Sequence, residues 1–143
     1  MTEKPVTVGQ SKDDVISSDP ACPAYELNFC HALTKLAHED PSLGLRFKER
    51  TIAARRPIWR ARDQVEGVPA ICQGWAVTSL TLSDGRRQIL SILLPGDLIA
   101  GQLILQPVCP VSVEAVSDLH YRSFNRDAVI TALRRHPALI DML

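Results

Sequence analysis

The chain has 143 residues, 45% hydrophobic and 22% charged, with 16 basic against 16 acidic side chains. That length suits one domain whose core needs no disulfide staple. Zero net charge argues against a domain that grips nucleic acid by itself, since that needs a basic footprint. No apolar run approaches the roughly 18 residues of a membrane span.

The opening "MTEKPVTVGQSKDDVISSDP" has no basic-then-apolar signal pattern, so the expected compartment is the cytoplasm. There, four cysteines read as thiols or ligands and not as a disulfide set. Residues 1–20 are polar, carry Pro5, Gly9 and Pro20, and read as a flexible tail. In "AYELNFCHALTKLAHEDP" the residues Leu27, Phe29, Cys30, Leu33, Leu36 and Ala37 recur near the helical period. They predict an amphipathic helix over about 24–39, ended by Asp40-Pro41. The following "SLGLRFKERT" admits a second short helix.

From Ile52 the pattern shortens. "IAARRPIWRARD", broken by Pro57, suits an edge strand or a kinked pair of strands. Arg50, Arg55, Arg56, Arg60 and Arg62 read as a solvated face. In "VPAICQGWAVTSLTL", Trp75, Val77, Ser79 and Thr81 share one face, and Ala76, Thr78, Leu80 and Leu82 the other. Asp84-Gly85 supplies a hairpin turn, and "RQILSILL" returns as its partner strand. That strand is apolar on both faces and is expected to be buried on both. Pro95-Gly96-Asp97 fits a type II turn.

"VSVEAVSDLHYR" places Val111, Val113, Ala115, Leu119 and Tyr121 on one face and Ser112, Glu114, Asp118, His120 and Arg122 on the other, predicting one half-buried strand. Asn125 is placed to N-cap the helix "RDAVITALRRH", whose last turn carries Arg134, Arg135 and His136, matching the helix dipole. Pro137 opens a further helix. Short strands joined by Gly/Pro turns give a mainly β fold with flanking helices, a sandwich or barrel.

The stretch "QGWAVTSLTLSDGRRQILSILLPGDLIAG", followed by "VSVEAVSDLHYRSFNRDAVITALRRHPALIDML", resembles the effector domain of the CRP/FNR family of bacterial transcription regulators. The likeness covers about residues 50–143. It rests on a strand, a DG hairpin, an RQI strand and a PGD turn in that order. It implies a double-stranded β-helix, or jelly roll, of the cyclic-nucleotide-binding-domain type over 21–125, with 126–143 as a helix and the start of a truncated dimerisation helix. It also implies a homodimer through a C-terminal helix, and DNA contact only through a helix-turn-helix that the sequence as it stands lacks. Leu139, Ile140 and Leu143 are the candidate dimer contacts; the other reading packs them back on the roll. A chain extended past Leu143 is expected to dimerise better.

Cyclic-nucleotide binders of that family cradle a phosphate with Gly-Glu-Leu on a short helix and a following Arg-Ser or Arg-Thr pair. Here Gly101-Gln102-Leu103 matches the first part with Gln for Glu. The arginine position falls near Cys109 or Ser112, and no Lys or Arg occurs from Gln88 to Tyr121. A buried phosphate without a cation is costly. The expectation is therefore a regulatory sensor that does not bind a cyclic nucleotide. The alternatives are a stand-alone ligand-binding or interaction module, or a cyclic-nucleotide sensor resting on backbone N–H groups alone.

Other chemistries are weaker. Cys22, Cys30, Cys72 and Cys109 suffice in number for an iron–sulfur cluster, but their spacing differs from the tight C-x₂-C start of cluster-bearing relatives. Cys72 reads as a small hydrophobe, while Cys22 and Cys109 are redox candidates if exposed. His31 and His38 sit two helical turns apart without a third ligand, and His120 reads as solvent-facing. Ser112, Ser117, Glu114, Asp118 and His120 lie along one strand and do not converge on one point. Neither an enzyme nor a cofactor is expected.

Overall fold

The computed structural model describes residues 29–143. The predicted tail, the front of the first helix and Cys22 lie outside them. Helix α1 (Phe29–Glu39) buries Phe29, Cys30, Leu33 and Ala37 of the predicted stripe, with Thr34 beside them and Leu36 half-buried. Asp40 ends it and its carboxylate accepts from the Ser42 N–H at 3.2 Å, opening a single 3₁₀ turn over Pro41–Leu43. No second α-helix follows. "RFKERT" instead enters strand β1 (Phe47–Ile52), paired from Phe47↔Phe124 to Ile52↔Leu119 with β7 (Leu119–Phe124). A cross-strand partner overrides the weak local preference there.

The remaining strands are β2 (Pro57–Trp59), β3 (Val68–Gln73), β4 (Ala76–Thr81), β5 (Arg87–Leu93) and β6 (Ser112–Ala115). They form two antiparallel sheets, ordered β1-β7-β3 and β2-β6-β4-β5. Pro57 opens β2 on a sheet edge, where its missing N–H costs least. The "VSVEAVSDLHYR" stretch is two strands, not one: β6 lies in one sheet and β7 in the other, so the chain crosses between sheets at 116–118. Its inward residues Val113, Ala115, Leu119 and Tyr121 still meet in one core.

Two hydrophobic cores separate three layers. Ile71, Ala76, Leu93, Leu103, Val113, Leu119 and Tyr121 fill the space between the sheets. Phe29, Leu33, Phe47, Ala70, Cys72, Phe124, Val129 and Leu139 join the opposite face of the first sheet to α1 and to α2 (Arg126–Arg135). This helical layer corrects the polar face expected for β7: Arg122 is 2% exposed beneath α1.

It also relocates the doubly buried strand. That strand is β3, buried from Val68 through Cys72, with Ala70 and Cys72 toward the helices and Ile71 toward the second sheet. The segment around Gly96 flanks it, with Gly96 N–H donating to Ile71 O at 2.7 Å and Ile99 N–H to Pro69 O at 2.9 Å. Strand β5 is not buried on both faces as its composition predicts: Ile89 and Ile92 are each 59% exposed and Leu90 46%. It forms the edge of its sheet, so only Leu93, the strand's last residue, is buried in the inter-sheet core.

The turn chemistry matches expectation at Gly85 (φ +86) and Gly96 (φ +97). Asn125 holds the N-cap position of α2 but makes no side-chain cap bond. Its amide instead spans the β1 approach: Oδ1 accepts from Arg46 N–H at 2.8 Å and Nδ2 donates to Gly44 O at 2.9 Å. Pro137–Met142 is a 3₁₀ segment that buries Leu139 at 5% exposure and leaves Ile140 and Leu143 outside at 55% and 59%.

Candidate functional site

The short helix of the sequence reading forms as a 3₁₀ turn, Gly101–Ile104, entered from an extended Ala100. Its five associated candidates differ in burial. Gly101 and Gln102 face solvent, whereas Leu103 is fully buried between the sheets. Cys109 is fully buried in the same core. Its N–H donates to Asp63 O at 2.9 Å, its carbonyl accepts from Arg62 N–H at 2.7 Å, and its thiol donates to Val111 O at 3.1 Å. Burial pushes the Cys109 thiol pKa up, so it is not the exposed thiol a redox role required. Ser112 Oγ accepts from Ala61 N–H at 3.1 Å.

Arg126 is the cation that strand-by-strand reading missed. From the start of α2 its guanidinium donates to Leu103 O at 2.6 Å and to Val65 O and Gly67 O, each at 3.1 Å. It thereby ties the short helix to the β3 approach, with three of its donors on carbonyl oxygens. The only basic side chain on β5 facing its sheet neighbours is Arg87. It donates to Ser79 Oγ at 3.0 Å and pairs with Glu114 at 3.1 Å.

A second region lies at the opposite edge, between β1 and β2. A cavity of about 590 Å³ is lined by Lys48 and Arg50 of β1, Trp59 of β2, Tyr121 and Ser123 of β7, and Arg126, among others. The Trp59 and Tyr121 rings meet edge to face at 5.6 Å. Burial raises the Tyr121 phenol to about 12, with Arg50 pulling the other way. Of the five arginines read as one solvated face, Arg55, Arg56, Arg60 and Arg62 are exposed and Arg50 is half-buried. The alternation of Lys48 and Arg50 on a strand was the available signal. A helical reading of that segment hides it.

The thiols and imidazoles divide as follows. Cys30 and Cys72 sulfurs approach to 3.8 Å across the α1–β3 contact, while Cys109 sits in the other core. Among the described residues no three His, Cys, Asp or Glu side chains gather as a metal site. His120 is half-buried, with Nε2 3.8 Å from Glu49 Oε2.

The family model of the cyclic nucleotide-binding domain matches residues 49–136. The chain belongs to the cyclic nucleotide-binding domain family. Among solved structures it is similar to the N-terminal domain of a transcriptional regulator from Streptomyces coelicolor A3(2), at 17% identity and TM-score 0.61, covering 82% of each chain. It is also similar to the catabolite activator protein of Thermus thermophilus, at 22% identity and TM-score 0.62, covering 78% of this chain and 50% of that one. FixK2 from Bradyrhizobium japonicum gives 25% identity and TM-score 0.54, covering 66% and 47%. The chain thus spans about half the length of these last two proteins. A comparison with curated proteins found no match. No helix among the described residues is long and apolar enough to cross a membrane.

Proposed function

We propose that this domain is the signal-receiving part of a CRP/FNR-type transcription regulator, working in the cytoplasm as a homodimer, and that its signal is not a cyclic nucleotide. The observation that carries the second half is the missing cation. Of the two positions near which the resemblance places the phosphate-pairing arginine, Cys109 is a buried thiol bonded to its own loop and Ser112 a hydroxyl that accepts from Ala61 N–H. The nearby cation, Arg126, is engaged by three carbonyls. A phosphate seated there would meet no free charge, and an anion out of water needs one. Calorimetric titration with cyclic AMP and cyclic GMP tests this. No saturable heat is expected below about 100 µM, short of roughly 5.5 kcal/mol of binding. Micromolar binding of either nucleotide overturns the reading.

The dimer rests on apolar surface. Ile140 and Leu143 at the chain end, with Ile89 and Ile92 on β5, remain exposed in the single chain. Apolar side chains left in water favour association. Sedimentation equilibrium is expected to find a dimer whose dissociation constant rises about ten-fold on Ile140→Asp, the cost of charging a buried contact. A monomer at every concentration, or an unchanged constant, removes this assignment. Leu139 is not part of the surface, because it packs under α2.

A further inference from the structure

We propose that the cavity between β1 and β2 is a binding site for a small aromatic acid, a flat ring carrying one carboxylate. Three observations converge. Arg50 is half-buried, yet its one side-chain hydrogen bond goes to the carbonyl of its own neighbour, Glu49, at 3.2 Å. Among the described residues no carboxylate pairs with it. The Glu49 carboxylate itself is taken by Arg122 at 3.1 Å. Arginines drawn from water are ordinarily paired, so an uncompensated one facing a cavity calls for an anion.

Lys48 lies two residues along the same strand face. Its partner Glu66 sits at 3.3 Å but its side chain is 88% exposed. An ion pair that open is weak and exchangeable, so Lys48 can turn to a better-buried carboxylate. The third observation is the wall. Trp59 and Tyr121 form an edge-to-face pair, and Trp59 is only half-buried, which leaves ring surface for a flat guest. The volume, about 590 Å³, falls in the ordinary range for small-molecule sites, roughly 300–1,000 Å³. Planar guanidinium and planar carboxylate match in a two-bond fork, which favours a carboxylic acid over a simple halide.

This proposal uses none of the five short-helix candidates. Failure of one assignment leaves the other standing.

The chain has two tryptophans, Trp59 and Trp75. Trp75 is solvent-exposed, so Trp75→Phe makes Trp59 the sole reporter inside the cavity. The probe is 4-nitrobenzoate, a contact quencher of indole fluorescence. Saturable quenching is expected, with a dissociation constant below about 1 mM, the scale of one charged pair plus one stacked ring. The neutral isostere 4-nitrobenzamide, and Arg50→Gln in the same background, should each bind about ten-fold more weakly, the loss of one charge-assisted pair. Acetate should not displace the probe, since it lacks the ring.

The reciprocal variant Trp59→Phe leaves Trp75 as reporter and should show no saturable quenching. If Arg50→Gln does not fold, the amide and the salt dependence of binding on the Trp75→Phe chain decide alone. Quenching that rises linearly without saturation, equal affinity for acid and amide, or saturable quenching of Trp75 in Trp59→Phe would overturn the proposal.

Discussion

Gly74→Ala is expected to destabilise the domain by about 4 kcal/mol, at the upper end of single-substitution effects. Gly74 joins β3 to β4 and has φ +79, a conformation L side chains adopt only at a cost of roughly 1–2 kcal/mol. The larger part is steric. A Cβ there would stand 2.1 Å from Asp118 O and 2.8 Å from Ser117 Oγ. Neither neighbour is free to retreat. Ser117 Oγ accepts from Trp75 N–H at 3.0 Å, and the Asp118 carboxylate accepts from Ala54 N–H at 2.9 Å. The two turns that carry the chain from sheet to sheet press together at this point, and the missing Cβ is what lets them.

Gly44→Ala is the control. It has φ +66 but nothing within 4 Å of its Cβ, so it should lose only the backbone strain, about 1 kcal/mol. Urea unfolding of both variants measures the difference. Equal losses would mean that close approach at Gly74 contributes nothing.

The second large effect is expected from Glu49→Ala, at about 3 kcal/mol, because it leaves a buried guanidinium without its counterion. Arg122 is 2% exposed. Its Nε donates to Glu49 at 3.1 Å, its Nη1 donates to Thr34 Oγ1 at 3.2 Å, and its guanidinium lies 4.7 Å from the Phe47 ring centroid. Thr34 belongs to α1 and Glu49 to β1, so this one side chain binds the helical layer to the first sheet. Thr34 Oγ1 in turn donates to Cys30 O at 2.9 Å, which orients its lone pair toward the guanidinium.

The Glu49 side chain is 36% exposed, which holds the figure near the lower end for a broken buried pair. Combining Glu49→Ala with Arg122→Met should recover at least about 1.5 kcal/mol, since an apolar side chain of similar length needs no counterion. Urea unfolding of both singles and the double gives the coupling. A Glu49→Ala variant within about 0.5 kcal/mol of the parent would show that Arg122 finds its compensation elsewhere.

The positions that mislead a reader of this chain share one cause. The "RQILSILL" segment has the composition of a doubly covered strand, and "VPAICQ" looks no more buried than its neighbours. The packing reverses them: β3 lies between α1 and the second sheet, and β5 stands at an open edge. Arg122 alternates as an outward polar residue, yet the face it occupies is roofed by α1. The cavity lining was equally hidden, because Lys48, Trp59 and Tyr121 come from three strands separated by up to 73 residues of chain.

What was legible is what depends on neighbours in sequence. The α1 stripe, the Gly85 and Gly96 turns, the alternation that sends Val113, Ala115, Leu119 and Tyr121 inward, and the absence of Lys and Arg from Gln88 to Tyr121 all follow from local geometry and side-chain chemistry. Which apolar face is covered, which arginine is paired and where a cavity opens are decided by elements distant along the chain. Burial and charge compensation are properties of pairs of surfaces, and the second surface is placed only when the sheets and helices pack.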